Sequence, residues 1–316
     1  MEKRYPIIEK QIQRLKAKGL KFKNEEKARK IILRENHYNI TEGYEDVFID
    51  LKRSNKQKEI YEEETYFEEL YAIYKFDRDL KDLCFEYIHI LETNIKSYVA
   101  YIFSSKYGES NYLKRENFRP EYKYNKEFEI LKSKINNNLQ RNFSNSKSEL
   151  KKFYNQNKYI PLYMLVKVFT FGNIVNFYEL MKVEDKQEIA QPINLSPYSI
   201  QDYLKVLNIV RNICAHGDIL FNIRLYIHIE ERDCNYHKIL KISKENNKYK
   251  CGINDLFAVM IIFKKLLPEE EFNEMFIKIE RLLEHLKREI DNDSYQNLLE
   301  IMGFPNNYGE LNSIKE

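Results

Sequence analysis

The sequence predicts a mainly α-helical bundle with an N-terminal helical extension and a small β-hairpin insertion at about 219–253. Only 8 glycines and 7 prolines occur in 316 residues, so few positions interrupt a helix. Apolar residues recur every three or four positions over long stretches, most clearly at Leu80, Leu83, Cys84, Tyr87, Leu91, Ile95, Val99 and Ile102. The exception is a stretch where Phe221, Ile223, Leu225, Ile227 and Ile229 alternate with polar neighbours, which is the period of a strand.

In chain order, residues 1–60 form the extension, opening with a lysine-rich helix. The main helical domain covers 61–305. Its longest helix is expected to start at Asp77, an N-cap residue type, and to run to Tyr107 before Gly108. At 1.5 Å per residue this is about 45 Å, so its partners must also be long. Residues 109–125 read as loop. Another helix is expected from Pro161 through Leu165, Val168, Phe169 and Phe171, with Phe171-Gly172 as a close-packing point or kink.

The next helix opens on Ser196-Pro197, a cap followed by proline in the first turn, and closes at Gly217. In the insertion, 221–229 is expected to pair with 236–243 and 248–252, with Asn246-Asn247 at a turn. Helices over 253–267 and 269–290 follow, separated at Pro268. Residues 306–316 form a tail.

Composition limits the functional classes. Hydrophobic residues make up 43% of the chain, enough for a substantial core, while 32% are charged and no apolar run reaches the ~18 residues of a membrane span. The opening residues Met1 to Pro6 lack the apolar stretch of a secretory leader, and a cytoplasmic location is expected. Cys84, Cys214, Cys234 and Cys251 are scattered without a CxxC pair, which fits a reducing compartment. Cys234, His237, His228 and Cys251 are zinc-ligating types, but their spacing matches no common ligand template. No metal and no other cofactor is expected.

The formal net charge of +3 conceals a strong segregation. Residues 1–34 carry +8, 35–92 carry −9, 93–182 carry +9 and the remainder −5. Two basic blocks can form an electrostatic footprint for nucleic acid, and Lys16, Lys18, Lys21 and Lys23 are the candidate contacts in the first.

The most informative stretch is Val210-Arg211-Asn212-Ile213-Cys214-Ala215-His216-Gly217, an R-N-x-x-x-H pattern. Cutting RNA without a metal needs a group that takes the proton of a 2′-hydroxyl and a group that steadies the phosphate. Histidine suits the first task because its unperturbed pKa lies near neutrality. Arginine's fork of donors suits the second. Asn212 and His216 share a helix face, whereas Arg211 and His216 lie about 140° apart around an ideal helix. Either two helix ends meet or the helix unwinds near Gly217.

Further blocks accompany this motif: His37-Tyr38-Asn39-Ile40-Thr41-Glu42-Gly43-Tyr44, Phe76-Asp77-Arg78-Asp79-Leu80, Pro161-Leu162-Tyr163-Met164 with Thr170-Phe171-Gly172, and Met302-Gly303-Phe304-Pro305. With 207–216 they span roughly residues 25–305. In that order they resemble the abortive-infection (Abi) family of bacterial phage-defence proteins, of the AbiD/AbiF type, which is similar to the HEPN superfamily of all-helical ribonucleases. The resemblance implies a HEPN-like bundle, a metal-independent endoribonuclease in a toxin-like system, and catalytic roles for Arg211, Asn212 and His216. It also implies a homodimer in which two motifs face each other.

Many family members follow the histidine with arginine and tryptophan. This chain has Asp218-Ile219-Leu220-Phe221-Asn222, so Arg224 is read as a phosphate contact only. RNA is the expected partner, as substrate and as a small restraining RNA. Two other readings stay open: a non-catalytic protein that holds a structured RNA, and a module that senses a phage component.

Overall fold

A computed structural model describes residues 6–54, 59–145, 147–229 and 235–315. The helices in chain order are α1 (Pro6–Ala17), α2 (Glu25–Glu35), α3 (His37–Thr41), α4 (Phe67–Tyr107), α5 (Asn125–Ser144), α6 (Glu149–Asn157), α7 (Leu162–Leu165) and α8 (Phe171–Leu180). They continue with α9 (Val183–Ala190), α10 (Pro197–His216), α11 (Tyr236–Ile239), α12 (Leu256–Leu266), α13 (Glu269–Glu289), α14 (Asn292–Met302) and α15 (Glu310–Ser313). One hairpin, β1 (Lys244–Glu245) with β2 (Lys248–Tyr249), is the only sheet among the described residues. The fold is mainly α with a small hairpin, as the sequence predicts.

The spine is α4, 41 residues and about 60 Å long. It starts ten residues before the expected Asp77. The true start is at Tyr66, whose backbone N–H donates to Glu69 Oε2 at 2.9 Å. The earlier turns bury Phe67, Leu70 and Ile73 on the stripe that Leu80, Cys84, Leu91, Ile95 and Val99 continue. Asp77 therefore caps nothing; it sits inside that stripe, with no exposed surface. Against α4 pack α10, α13, α9, α7, α8 and α3. The helix α12 is buried all round, every residue from Leu256 to Phe263 having no exposure, which marks it as a core helix. Opposite it, α13 is amphipathic and buries Phe272, Met275, Phe276, Ile279, Leu283 and Leu286.

The helix expected from Pro161 breaks into α7, a short 3-10 turn and α8. Thr170 starts α8 afresh, its hydroxyl accepting the Asn173 N–H at 3.2 Å. The insertion also departs from expectation. Residues 236–243 open with the helical turn α11 instead of a strand. Residues 221–229 belong to no strand, although Leu225 N–H and Ile229 N–H donate to the carbonyls of Asn254 and Ile253 at 2.7 and 2.9 Å. Their alternation still sorts the side chains: Phe221, Ile223, Leu225 and Ile229 are buried, Arg224, Tyr226 and His228 exposed. The two-residue period sorts the faces without a ladder to pair with. The hairpin turn is where expected, at Asn246 and Asn247, both in the left-handed region.

The described residues of the first 60 share the core of the rest. Ile12, Leu15, Leu20, Ile32, Ile40, Tyr44 and Phe48 join one cluster with α4 and the later helices. The basic and acidic blocks meet here. Lys18 pairs with Glu45 and Glu59, and Lys21 with Glu64. Backbone bonds from Tyr61 to Lys18, Lys21 to Thr65 and Phe67 to Lys21 run alongside.

Candidate active site

The R-N-x-x-x-H motif occupies the last turns of α10. Ser196 caps the start, its hydroxyl accepting the Ser199 N–H at 3.1 Å. The buried stripe Tyr203, Leu204, Leu207 and Val210 holds the helix to α4 and α8. Helix geometry continues without a break through His216. Gly217, at φ 79°, then closes it, donating its N–H to the Ile213 carbonyl at 3.1 Å. Within one chain no unwinding brings Arg211 and His216 to one side, and about 140° of helix rotation separates them.

Asn212 and His216 are exposed and Arg211 is half-buried. The Arg211 guanidinium lies 5.7 Å from the ring centroid of Phe85 on α4, a cation–π contact, and reaches Asn212 Oδ1 through a long 3.4 Å contact. Phe85 is itself 40% exposed, so a large aromatic ring stands in solvent beside the arginine. Four residues before Asn212, the Asn208 side chain covers Gly172, where a Cβ would stand 3.6 Å from its Oδ1. A Cβ there would meet only ordinary van der Waals contact, so Gly172 is not required by close packing. Burial pushes the Cys214 thiol up to about 12, which leaves it protonated and chemically quiet at the centre of the motif.

The chain leaving α10 is tied down at once. Asp77 Oδ1 accepts the backbone N–H groups of Leu220 and Phe221 at 3.0 and 2.8 Å. Asp77 Oδ2 accepts the Tyr44 hydroxyl at 2.7 Å and pairs with Lys81 at 3.0 Å. The Lys81 ammonium also donates to the Asp218 carbonyl at 3.1 Å. Gly43, at φ 74°, lies against Ile219. The sequence reading missed these residues. The clue was Asp77 and Lys81 at a spacing of four, with Asp77 falling on an otherwise apolar stripe.

The remaining predicted contacts lie elsewhere. Lys16, Lys18 and Lys21 pair with Glu25, Glu45 with Glu59, and Glu64. The Lys23 ammonium stands 5.0 Å from the Tyr66 ring centroid, while its backbone N–H donates to Glu68 at 3.1 Å. Arg224 spans the insertion and α14, donating to the carbonyls of Ile223 and Ile301 at 2.8 and 2.9 Å. His237 is buried, with Nε2 2.8 Å from the Gly252 carbonyl and its ring stacked on Tyr249. Cys234 falls outside the described residues. Among the described residues no group of three His, Cys, Asp or Glu could hold a metal ion, and no helix is long and apolar enough to cross a membrane.

Fold and site together define an α-helical protein that presents an arginine-asparagine-histidine motif at an exposed helix end, braced by a buried carboxylate. The family of Abi-like proteins matches residues 30–222, more than half of the chain, and the chain belongs to that family. The match takes in the Gly43-Tyr44 corner, Asp77, Gly172 and the whole of α10. Membership supports a role in phage defence. No curated protein and no solved structure matches the chain.

Proposed function

We propose that this protein is a metal-independent endoribonuclease of HEPN type acting in phage defence. One observation carries the reading: α10 ends with Asn212 and His216 in solvent on one face and Arg211 held against Phe85, free of any carboxylate partner within the described contacts. A guanidinium without an acidic neighbour keeps its fork of donors available to a phosphate.

In the proposed reaction His216 takes the proton of the RNA 2′-hydroxyl. The 2′-oxygen attacks the adjacent phosphorus, the bond to the 5′-oxygen breaks, and the departing oxygen receives a proton. The products carry a 2′,3′-cyclic phosphate and a 5′-hydroxyl. Arg211 stabilises the charge that grows on the phosphate oxygens, and Asn212 orients the phosphate or the imidazole. The 140° between Arg211 and His216 favours a homodimer in which the arginine of one protomer serves beside the histidine of the other. Lys16, Lys18, Lys21, Lys23 and Arg224 extend the RNA footprint.

The test is cleavage of end-labelled RNA by the purified chain in excess EDTA. Wild type should cut and leave cyclic phosphate, and His216→Ala and Arg211→Ala should each cut ~10²–10⁴-fold more slowly. Loss of wild-type activity in EDTA overturns the mechanism, and full activity in His216→Ala overturns the site. Salt-sensitive RNA binding without any cleavage identifies an RNA-holding protein instead.

A further inference from the structure

We infer that Asp77, Lys81 and Tyr44 are positioning residues for the Arg211–His216 site: they lock the chain leaving α10 onto α4 and so fix the direction in which the helix end presents His216. The inference rests on the ribonuclease reading above.

Only Gly217 separates His216 from the first clamped group. The Asp218 carbonyl is held by Lys81, and the Leu220 and Phe221 N–H groups by Asp77. Three backbone groups within four residues are thereby fixed to one turn of α4. The Tyr44 hydroxyl completes the carboxylate's shell, and its ring stacks on Phe221 with centroids 5.7 Å apart. Burial and the neighbouring Asp77 carboxylate push the Tyr44 hydroxyl far up, so it remains a donor.

The same stripe of α4 reaches the other half of the site. Asp77, Lys81 and Phe85 follow at intervals of four. The first two hold the chain beyond His216, and the third carries the Arg211 guanidinium. One helix face therefore sets how each protomer presents its arginine and its histidine to the two shared sites of the proposed dimer.

Stability alone does not account for this arrangement. Asp77 has no exposed surface and Lys81 8%, and a buried ion pair recovers little more than its own desolvation cost. What a fully satisfied buried network does supply is a single geometry, because each acceptor lone pair admits one direction of approach. A displacement of about 1 Å at a reacting group costs ~10²-fold in rate, so such a lock acts directly on catalysis.

Two variants of the full chain test this: Tyr44→Phe, which removes one oxygen, and Asp77→Asn with Lys81→Met, which removes both charges together and retains an acceptor for the two amides. Single-turnover cleavage, RNA affinity and hydrogen exchange at the Leu220 and Phe221 amides are measured for each. The expected result is a folded protein with affinity within about twofold of wild type, faster exchange at those two amides, and a cleavage step slowed ~10²-fold. Wild-type cleavage in both variants, or unchanged exchange at both amides, overturns the inference. The parent reading fails separately, when wild type does not cut or His216→Ala cuts as well as wild type.

Discussion

The Asp77 carboxylate accepts the Phe221 backbone N–H at 2.8 Å across 144 residues of sequence. This bond joins the first third of α4 to the segment just past the R-N-x-x-x-H motif. It ties the long helix to the chain that leaves the candidate site.

Mixing the two inactive variants tests whether the site is shared between chains. If Arg211 of one protomer serves His216 of the other, an Arg211→Ala/His216→Ala heterodimer holds one intact site and one doubly damaged one. Co-refolded or subunit-exchanged mixtures should then recover about a quarter of wild-type sites, while each variant alone stays inactive. A mixture as inactive as its components places the whole site within one chain, and a monomer by light scattering with or without RNA excludes the shared arrangement.

RNA affinity should fall steeply with salt, as counterion release requires. Replacing Lys16, Lys18, Lys21 and Lys23 together with Gln should flatten that dependence. The change should be less than the roughly 0.7 per lysine that four unmatched phosphate contacts would give. The reason is that Lys18 and Lys21 already face Glu45, Glu59 and Glu64. An unchanged slope removes the N-terminal helix from the footprint.

Gly43→Ala should destabilise the fold by about 1 kcal/mol or more and lower cleavage as well. The backbone there is left-handed, at φ 74°, and an added methyl would press on Ile219, between Asp218 and the clamped amides. Urea titration reads the first effect and the RNA assay the second. A fully stable, fully active Gly43→Ala protein shows that the corner does not bear on the site.

Lys186 gives a pH dependence of known sign. It is 2% exposed, and its ammonium donates to the Glu179 carbonyl and to Gln201 Oε1 at 2.7 and 2.9 Å. Burial, with Arg119 nearby, pulls its pKa down to about 8 from the usual 10.5. Between these values the unfolded chain binds the extra proton, so this group makes the protein more stable as pH rises, by up to about 1.4 kcal/mol per pH unit. Below pH 8 both states are protonated and its contribution is flat. Relative to Lys186→Met, wild type should therefore gain stability from pH 8 to 10. A constant difference between the two proteins over that range removes the coupling.

Local signals were legible in the sequence and distant ones were not. Ser196-Pro197 and Gly217 bounded α10 correctly because caps are written in neighbouring residues. Pro268 separated α12 from α13 for the same reason. Asp77 was read as a cap because aspartate at a helix start is the commoner case, and its actual partners are supplied by residues 44, 81, 220 and 221. The 221–229 alternation sorted faces correctly but could not reveal that, among the described residues, Ile253 and Asn254 would lie alongside in place of a paired strand. Residue types and spacing singled out Arg211, Asn212 and His216 as candidates, and α10 carries all three in its last turns. That Phe85 would lie beside Arg211 depended on the register between two helices, which no local pattern encodes.

The clasp between α4 and the chain after α10 also orders events during synthesis. Leu220 and Phe221 are made 143 and 144 residues after Asp77, and they must clear the ribosome before the carboxylate can be closed. Contacts so far apart in sequence form late, since the chain entropy of the closed loop is lost before the contact repays it. A nascent fragment that ends at Gly217 has all of α4 and the arginine and histidine of the motif, yet lacks their bracing. For the proposed ribonuclease, this order leaves the motif unbraced until Leu220 and Phe221 have followed it out of the ribosome.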